Sequence, residues 1–251
     1  MSFDGQSDLR SRRLKIGSLT VDNADMPTVI ARLKAHLALS ARALLVVSPN
    51  LTNVAILEKN SSVRAAYQRA DLILADGWPI QLAAMINRQP TPPLVPGSEL
   101  LPRWLVNLDK PTRFLIIGGK NGLAISQALL KTNPMVTNAS FNDGTWGVTP
   151  ADIKRLKDII ARNRPDVLLL PLGSPKQELL ALSAIDGGFT GVILCIGAAG
   201  DFLAGIPRRA PELVRKAKLE WVYRVVKEPT RLGPRYFSSL VPFIQAVRKQ
   251  S

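Results

Sequence analysis

The chain has 251 residues, with 33 Lys and Arg against 19 Asp and Glu, for a formal net charge of +14. One Cys and one His exclude an intrachain disulfide, a multi-cysteine zinc site and a multi-histidine metal site. An apolar content of 46% excludes a wholly disordered chain, and no apolar run approaches the ~20 residues needed to span a bilayer.

Met1 to Lys15 is polar and lacks the apolar stretch of a signal peptide, so the expected location is cytoplasmic. Five short apolar runs come next: Leu44–Val47, Leu72–Leu74, Phe114–Ile117, Val167–Leu170 and Val192–Ile196. Continuous apolarity at that length suits strands buried on both faces. Amphipathic stretches lie between them, predicting helices over Met26–Leu39, Leu51–Arg69, Gly122–Lys131 and Ala151–Asn163. The last begins behind Thr149-Pro150, an N-cap followed by Pro at the first helical position. Gln89 to Gly97 holds four prolines and reads as a loop. Strand and helix in alternation predict an α/β fold, a Rossmann-like parallel sheet with helices on both faces, over residues 1–206.

Residues 207–251 break the pattern. Eleven Lys and Arg stand there against three Glu, a net charge of +8 in under a fifth of the chain. Glu212 to Lys227 spaces its apolar residues helically. A second apolar and aromatic stretch, Tyr236 to Ile244, is expected to be interrupted at Pro242. The reading is a basic amphipathic helical appendage that meets phosphate: anionic lipid, nucleic acid or a phosphorylated ligand. Trp221, Tyr223, Tyr236 and Phe237 are either membrane-interface aromatics or packing for the appendage.

In folds of this class ligands gather at the carboxyl ends of the strands. Each apolar run is followed there by small, polar or charged residues. Ser48-Pro49-Asn50 follows the first. Asp76-Gly77 follows the second; its carboxylate is suited to take a proton from a hydroxyl, or to cap the helix starting near Pro79. Gly118-Gly119-Lys120-Asn121-Gly122 follows the third and reads as a backbone cradle for a diphosphate or as a tight turn. It carries only a fragment of the dinucleotide fingerprint. Gly173-Ser174-Pro175-Lys176-Gln177-Glu178 follows the fourth. Lys176 suits a phosphate, and Gln177 and Glu178 suit a uracil edge or sugar hydroxyls. Asp201, behind Gly197-Ala198-Ala199-Gly200, orients a substrate or caps the segment from Phe202 onward. His36 and Cys195 read as packed residues. Leu82, Met85 and Ile86 serve the core or an interface between copies, so a homo-oligomer stays open.

These blocks, in this order, resemble the WecG/TagA/CpsF family of bacterial glycosyltransferases. The remaining matches are Ala75 to Pro79, Gly197 to Gly205, Arg209-Ala210-Pro211 and the tail from Leu219 through Arg224, Glu228-Pro229, Arg231 and Arg235-Tyr236. The resemblance implies an inverting, metal-independent enzyme without a cofactor. It would move a sugar from a UDP-sugar to a polyprenyl-diphosphate-linked saccharide on the inner face of the cell membrane, in exopolysaccharide or other cell-surface polysaccharide synthesis. By position it makes Asp76 the catalytic base. It puts Ser48 and Asn50 in the pocket loop, Gln177 in the block tied to nucleotide-sugar binding, and Arg224, Arg231 and Arg235 in an appendage that docks on the membrane and closes the site.

The chain departs from the family pattern at Leu94-Val95-Pro96-Gly97-Ser98-Glu99. Leu94 there replaces a basic residue and Glu99 stands at the acid. Gly200 replaces a bulky aromatic. These departures favour a hexose or hexuronate over N-acetylmannosamine as the donor, an N-acetylhexosamine remaining the third candidate. The rival classes are a nucleic-acid-binding protein, which the charge suggests but no recognisable module supports, a dinucleotide-dependent oxidoreductase, which lacks the full glycine spacing, and a non-catalytic membrane scaffold.

Overall fold

The computed structural model of the chain describes residues 13–16, 19–39, 42–206, 223, 226 and 229–248. A short antiparallel hairpin comes first, β1 (Arg13–Ile16) and β2 (Leu19–Asp22). After it come α1 (Met26–Leu39), β3 (Leu44–Val47), α2 (Leu51–Lys59), α3 (Ser61–Arg69), β4 (Leu72–Ile73), α4 (Trp78–Ile86) and α5 (Gly97–Val106). The second half runs β5 (Thr112–Ile117), α6 (Gly122–Thr132), β6 (Val136–Asn142), α7 (Pro150–Asn163), β7 (Val167–Leu169), α8 (Lys176–Asp186), β8 (Val192–Cys195) and the short α9 (Ala199–Leu203). The C-terminal helix α10 spans Pro229–Arg248.

Six strands form one parallel sheet in the order β4-β3-β8-β7-β5-β6. Side chains alternate across it. Leu45, Val47, Ile73, Leu115, Leu168 and Ile193 enter the core on one face, and Leu44, Val46, Leu72, Phe114, Leu169 and Leu194 the core on the other. Helices cover both faces, which is why the runs read as uninterrupted apolar sequence. Each fully buried Leu, Ile or Val contributes roughly 1.5–3 kcal/mol against the entropy of ordering the chain.

The hairpin is fastened through the buried Asp22, which accepts from Arg13 Nε at 2.8 Å and from the Ile73 backbone N–H at 2.7 Å. Helix α7 has the predicted start: Thr149 caps the Asp152 N–H reciprocally, with Pro150 at its first turn. The expected single helix over Leu51–Arg69 is two, because Asn60 ends α2 and its side chain caps α3 through the Val63 N–H at 3.0 Å.

Helix α10 is not interrupted at Pro242, as the sequence reading expected, nor at Pro234; it runs through both. Ser239, Phe243 and Val247 are buried at four-residue spacing, and Phe243 and Val247 join the core cluster that contains Leu51 and Val54 of α2. Packing against α2 holds the helix together where the prolines remove ladder hydrogen bonds. The rest of the predicted appendage, including the helix over Glu212–Lys227, lies outside the described residues apart from Tyr223 and Val226. No helix among the described residues is long and apolar enough to cross a membrane.

Candidate functional site

The parallel register brings Val47 level with Ile73 on one side and with Cys195 on the other. The residues that follow these three strands therefore gather at one end of the sheet. Asp76 leaves β4 there, half-buried. Its backbone N–H donates to the Pro49 carbonyl at 3.1 Å, locking the Ser48-Pro49-Asn50 and Asp76-Gly77 loops together. Gly77, at φ 96°, occupies the N-cap of α4 and has no side chain of its own to cap that helix. Leu94 lies beside the same loop: Ala75 and Leu94 form a parallel bridge, and the Val95 N–H donates to the Ala75 carbonyl at 3.0 Å.

Ser48 is buried, its backbone N–H reaching the Cys195 carbonyl at 3.4 Å. Its Oγ has no hydrogen-bond partner among the described residues, and neither does the buried Oγ of Ser174 after β7. Asn50 is the N-cap of α2. Its Oδ1 accepts from the Thr52 N–H at 3.0 Å, while its own N–H donates to Asn53 Oδ1 at 3.1 Å. The cap uses Oδ1 and leaves Nδ2 out, so the residue serves the helix start and retains a donor at the loop.

Gly118 and Gly119 adopt φ 80° and 85° at the end of β5. A Cβ on Gly118 would lie 2.2 Å from Leu172 Cδ2, so only glycine lets the two loops approach so closely. The N-terminus of α6 behind them already holds an anion: the Gly122 N–H donates to Asp143 Oδ1 at 3.0 Å. A diphosphate at that helix start would meet the Asp143 carboxylate, whereas the Gly118-Gly119 turn itself lies one step before it. Asp201, half-buried in α9, accepts from Asn121 Nδ2 at 2.8 Å and ties this loop to the one behind β8.

Lys176 is exposed at the first residue of α8. Its neighbours are not. Gln177 Nε2 donates to Glu178 Oε1 at 3.0 Å and to the Cys195 carbonyl at 3.4 Å, and its Oε1 accepts from the Gly197 N–H at 3.3 Å. Glu178 is fully buried. The pair fastens α8 to the end of β8 and fixes where Lys176 emerges. Burial, helped by the Glu178 charge, pushes the Tyr67 phenol and the Cys195 thiol well above their usual ranges. Both stay protonated and act as packing. Arg224 lies outside the described residues, as do the side chains of Arg231 and Arg235, whose backbone belongs to α10.

Sequence reasoning did not single out Asn53, Asn121 or Asp143. Asn121 stood inside a quoted loop. Asp143 had a signal of its own, an Asn-Asp-Gly turn, but it follows a strand that the apolar runs did not reveal. The Gly200 departure has a local cause. A Cβ there would sit 3.0 Å from Ile125 Cδ1, because α9 packs closely on α6. Among the described residues no three His, Cys, Asp or Glu side chains come together to hold a metal ion.

The family model described as "Glycosyl transferase WecG/TagA/CpsF family" matches residues 14–251. Curated relatives include three from Staphylococcus aureus, strains MW2, MRSA252 and NCTC 8325 / PS 47. Each is named N-acetylglucosaminyldiphosphoundecaprenol N-acetyl-beta-D-mannosaminyltransferase and is 27% identical over 233 residues, 89% of this chain and 89% of the relative.

Proposed function

The chain belongs to the WecG/TagA/CpsF family of glycosyl transferases, and on that premise we propose that it transfers a sugar from a UDP-sugar to a polyprenyl-diphosphate-linked saccharide, with inversion, in cell-surface polysaccharide synthesis. The observation that carries this reading is Asp76: a half-buried carboxylate at the carboxyl end of the sheet, held by its backbone to Pro49 beside the Ser48-Pro49-Asn50 loop. A carboxylate so placed serves as a general base.

The acceptor hydroxyl gives its proton to Asp76 as its oxygen attacks the anomeric carbon. The bond from that carbon to the UDP oxygen breaks, and UDP leaves with the electron pair. Lys176 and the tail arginines Arg224, Arg231 and Arg235 stabilise that charge, and the Gly118-Gly119 turn admits the diphosphate. This reading needs no metal, because cationic side chains and backbone N–H groups meet the leaving group. Ser48, Ser174 and Asn50 supply hydrogen bonds to donor or acceptor. Gln177 and Glu178 act on the donor by holding the loop that bears Lys176, and Asp201 does so through Asn121. The basic residues of 207–251 hold the enzyme against anionic lipid on the inner face of the membrane.

The relatives' names give N-acetylmannosamine as their transferred sugar. For this chain the donor is a hexose, a hexuronate or an N-acetylhexosamine. The Leu94 departure, next to Asp76, bears on that choice. Gly200 bears on it less, since packing against Ile125 accounts for it. A panel of UDP-sugars with polyprenyl-diphosphate-linked N-acetylglucosamine, read by product mass, identifies the donor. Asp76→Asn should lower kcat by about 10²–10⁴-fold while UDP affinity stays unchanged. Wild-type turnover in that variant would remove Asp76 from the mechanism.

A further inference from the structure

A groove of about 780 Å³ separates α4 from α10. Trp78, Leu82 and Ile86 line it from α4, and Phe237, Leu240 and Ile244 from α10. The spacing on both helices is that of an apolar stripe, yet the stripes are incompletely covered: Ile86 is 53% exposed and Phe237 84%. Among the described residues, the only charged one on the lining is Arg248. Apart from Arg248, such a surface offers little to a phosphate and much to a hydrocarbon, and its volume falls within the usual range for ligand pockets.

Its position is as telling as its chemistry. Leu51, also on the lining, directly follows Asn50, and Trp78 comes two residues after Asp76. The Asp76 N–H to Pro49 carbonyl bond joins those two loops. The groove thus starts where the candidate catalytic carboxylate stands. We propose that it receives the isoprenoid chain of a prenyl-diphosphate substrate while the polar end of the same molecule reaches Asp76. This rests on the lipid-linked acceptor proposed above and adds a subsite for its hydrocarbon. At Gly233, on the lining, a Cβ would meet nothing within 4 Å, so the groove has room there for a larger side chain.

The test uses the full chain without donor. Farnesyl diphosphate and inorganic diphosphate are titrated calorimetrically, below the concentration at which the farnesyl compound forms micelles. Farnesyl diphosphate should bind about a hundredfold more tightly, since each buried methylene contributes roughly 0.8 kcal/mol. Gly233→Leu fills the open space, and Leu82→Glu places a charge on the lining. Both should bring farnesyl diphosphate to within about threefold of inorganic diphosphate. Thermal unfolding checks that each variant is folded, and Gly233→Leu removes a helix-weakening glycine, so it should not lose stability. Equal affinities in the wild type would overturn the proposal, as would full farnesyl preference in both folded variants. A concentration-dependent dimer abolished by Leu82→Glu, with no farnesyl binding, would assign the groove to a second copy instead and also overturn it. No turnover enters the measurement, so an inactive transferase and an unoccupied groove give different results.

Discussion

His36 is the only imidazole in the chain, and the fold works against its charge. Burial is the largest influence and lowers its pKa below 6.5; the nearby Arg42 lowers it further, while the Thr190 carbonyl, 3.3 Å from Nε2, and Asp71 pull it back only in part. A depressed histidine pKa means that the unfolded chain binds more protons than the native one just below pH 6.5. Stability is therefore complete above that value and declines as pH falls through it toward the folded pKa. The fall in thermal midpoint between about pH 8 and about pH 5 should be smaller in His36→Gln than in the wild type. An identical fall in both would assign the pH dependence to carboxylates alone. Asn50 teaches a different lesson at the same scale. Its place in a strand-end loop was legible, but its use of one amide atom as a cap depends on helix geometry that no short motif states.

At the scale of elements, the contact between α6 and α9 converts a sequence difference into a packing question. Ile125 is fully buried and stands where a side chain at position 200 would go. Gly200→Phe should cost about 1–3 kcal/mol by overpacking, and Ile125→Ala about 2–5 kcal/mol by leaving a cavity. The double variant should be more stable than the sum of the two predicts, because each change relieves the other. Additive losses in chemical denaturation would show that α9 moves away instead. The elements also divide by how far the sequence reveals them. The five apolar runs became strands because both sheet faces are covered, and α1 matches its predicted bounds. Strand β6 escaped notice because it is an edge: Thr137, Asn138 and Phe141 are exposed, so Val136–Asn142 carries no continuous apolar signal. Helix α5 was missed behind a proline-rich loop and contains Pro102. The hairpin β1–β2 depends on Asp22 reaching Ile73, a contact 51 residues away in sequence that no local pattern encodes.

For the whole molecule the governing feature is charge asymmetry. Residues 207–251 hold +8 of the net +14, and α10 adds exposed Phe237 and Val241 to that end of the chain. Basic side chains near an anionic surface contribute about 1 kcal/mol each, screened within a Debye length of ~8 Å at physiological salt. Cationic and apolar contributions therefore separate by their salt dependence. Binding to phosphatidylglycerol-containing vesicles should weaken as salt rises, and binding to pure phosphatidylcholine should be weak throughout. Replacing Arg208, Arg209, Arg215 and Lys216 together by Gln removes four charges. If half of them touch lipid, about 2 kcal/mol is lost and co-sedimentation should weaken roughly thirtyfold. Phe237→Ser should reduce the portion that survives high salt and leave the salt slope alone. Equal binding to both vesicle types would deny the tail an electrostatic role at the membrane. A tighter, steeply salt-dependent affinity for duplex nucleic acid would direct the same charge to phosphate of another kind, because a basic segment selects its partner by what else the chain offers, and the exposed Phe237 and Val241 of α10 offer apolar surface to a lipid rather than hydrogen bonds to base edges.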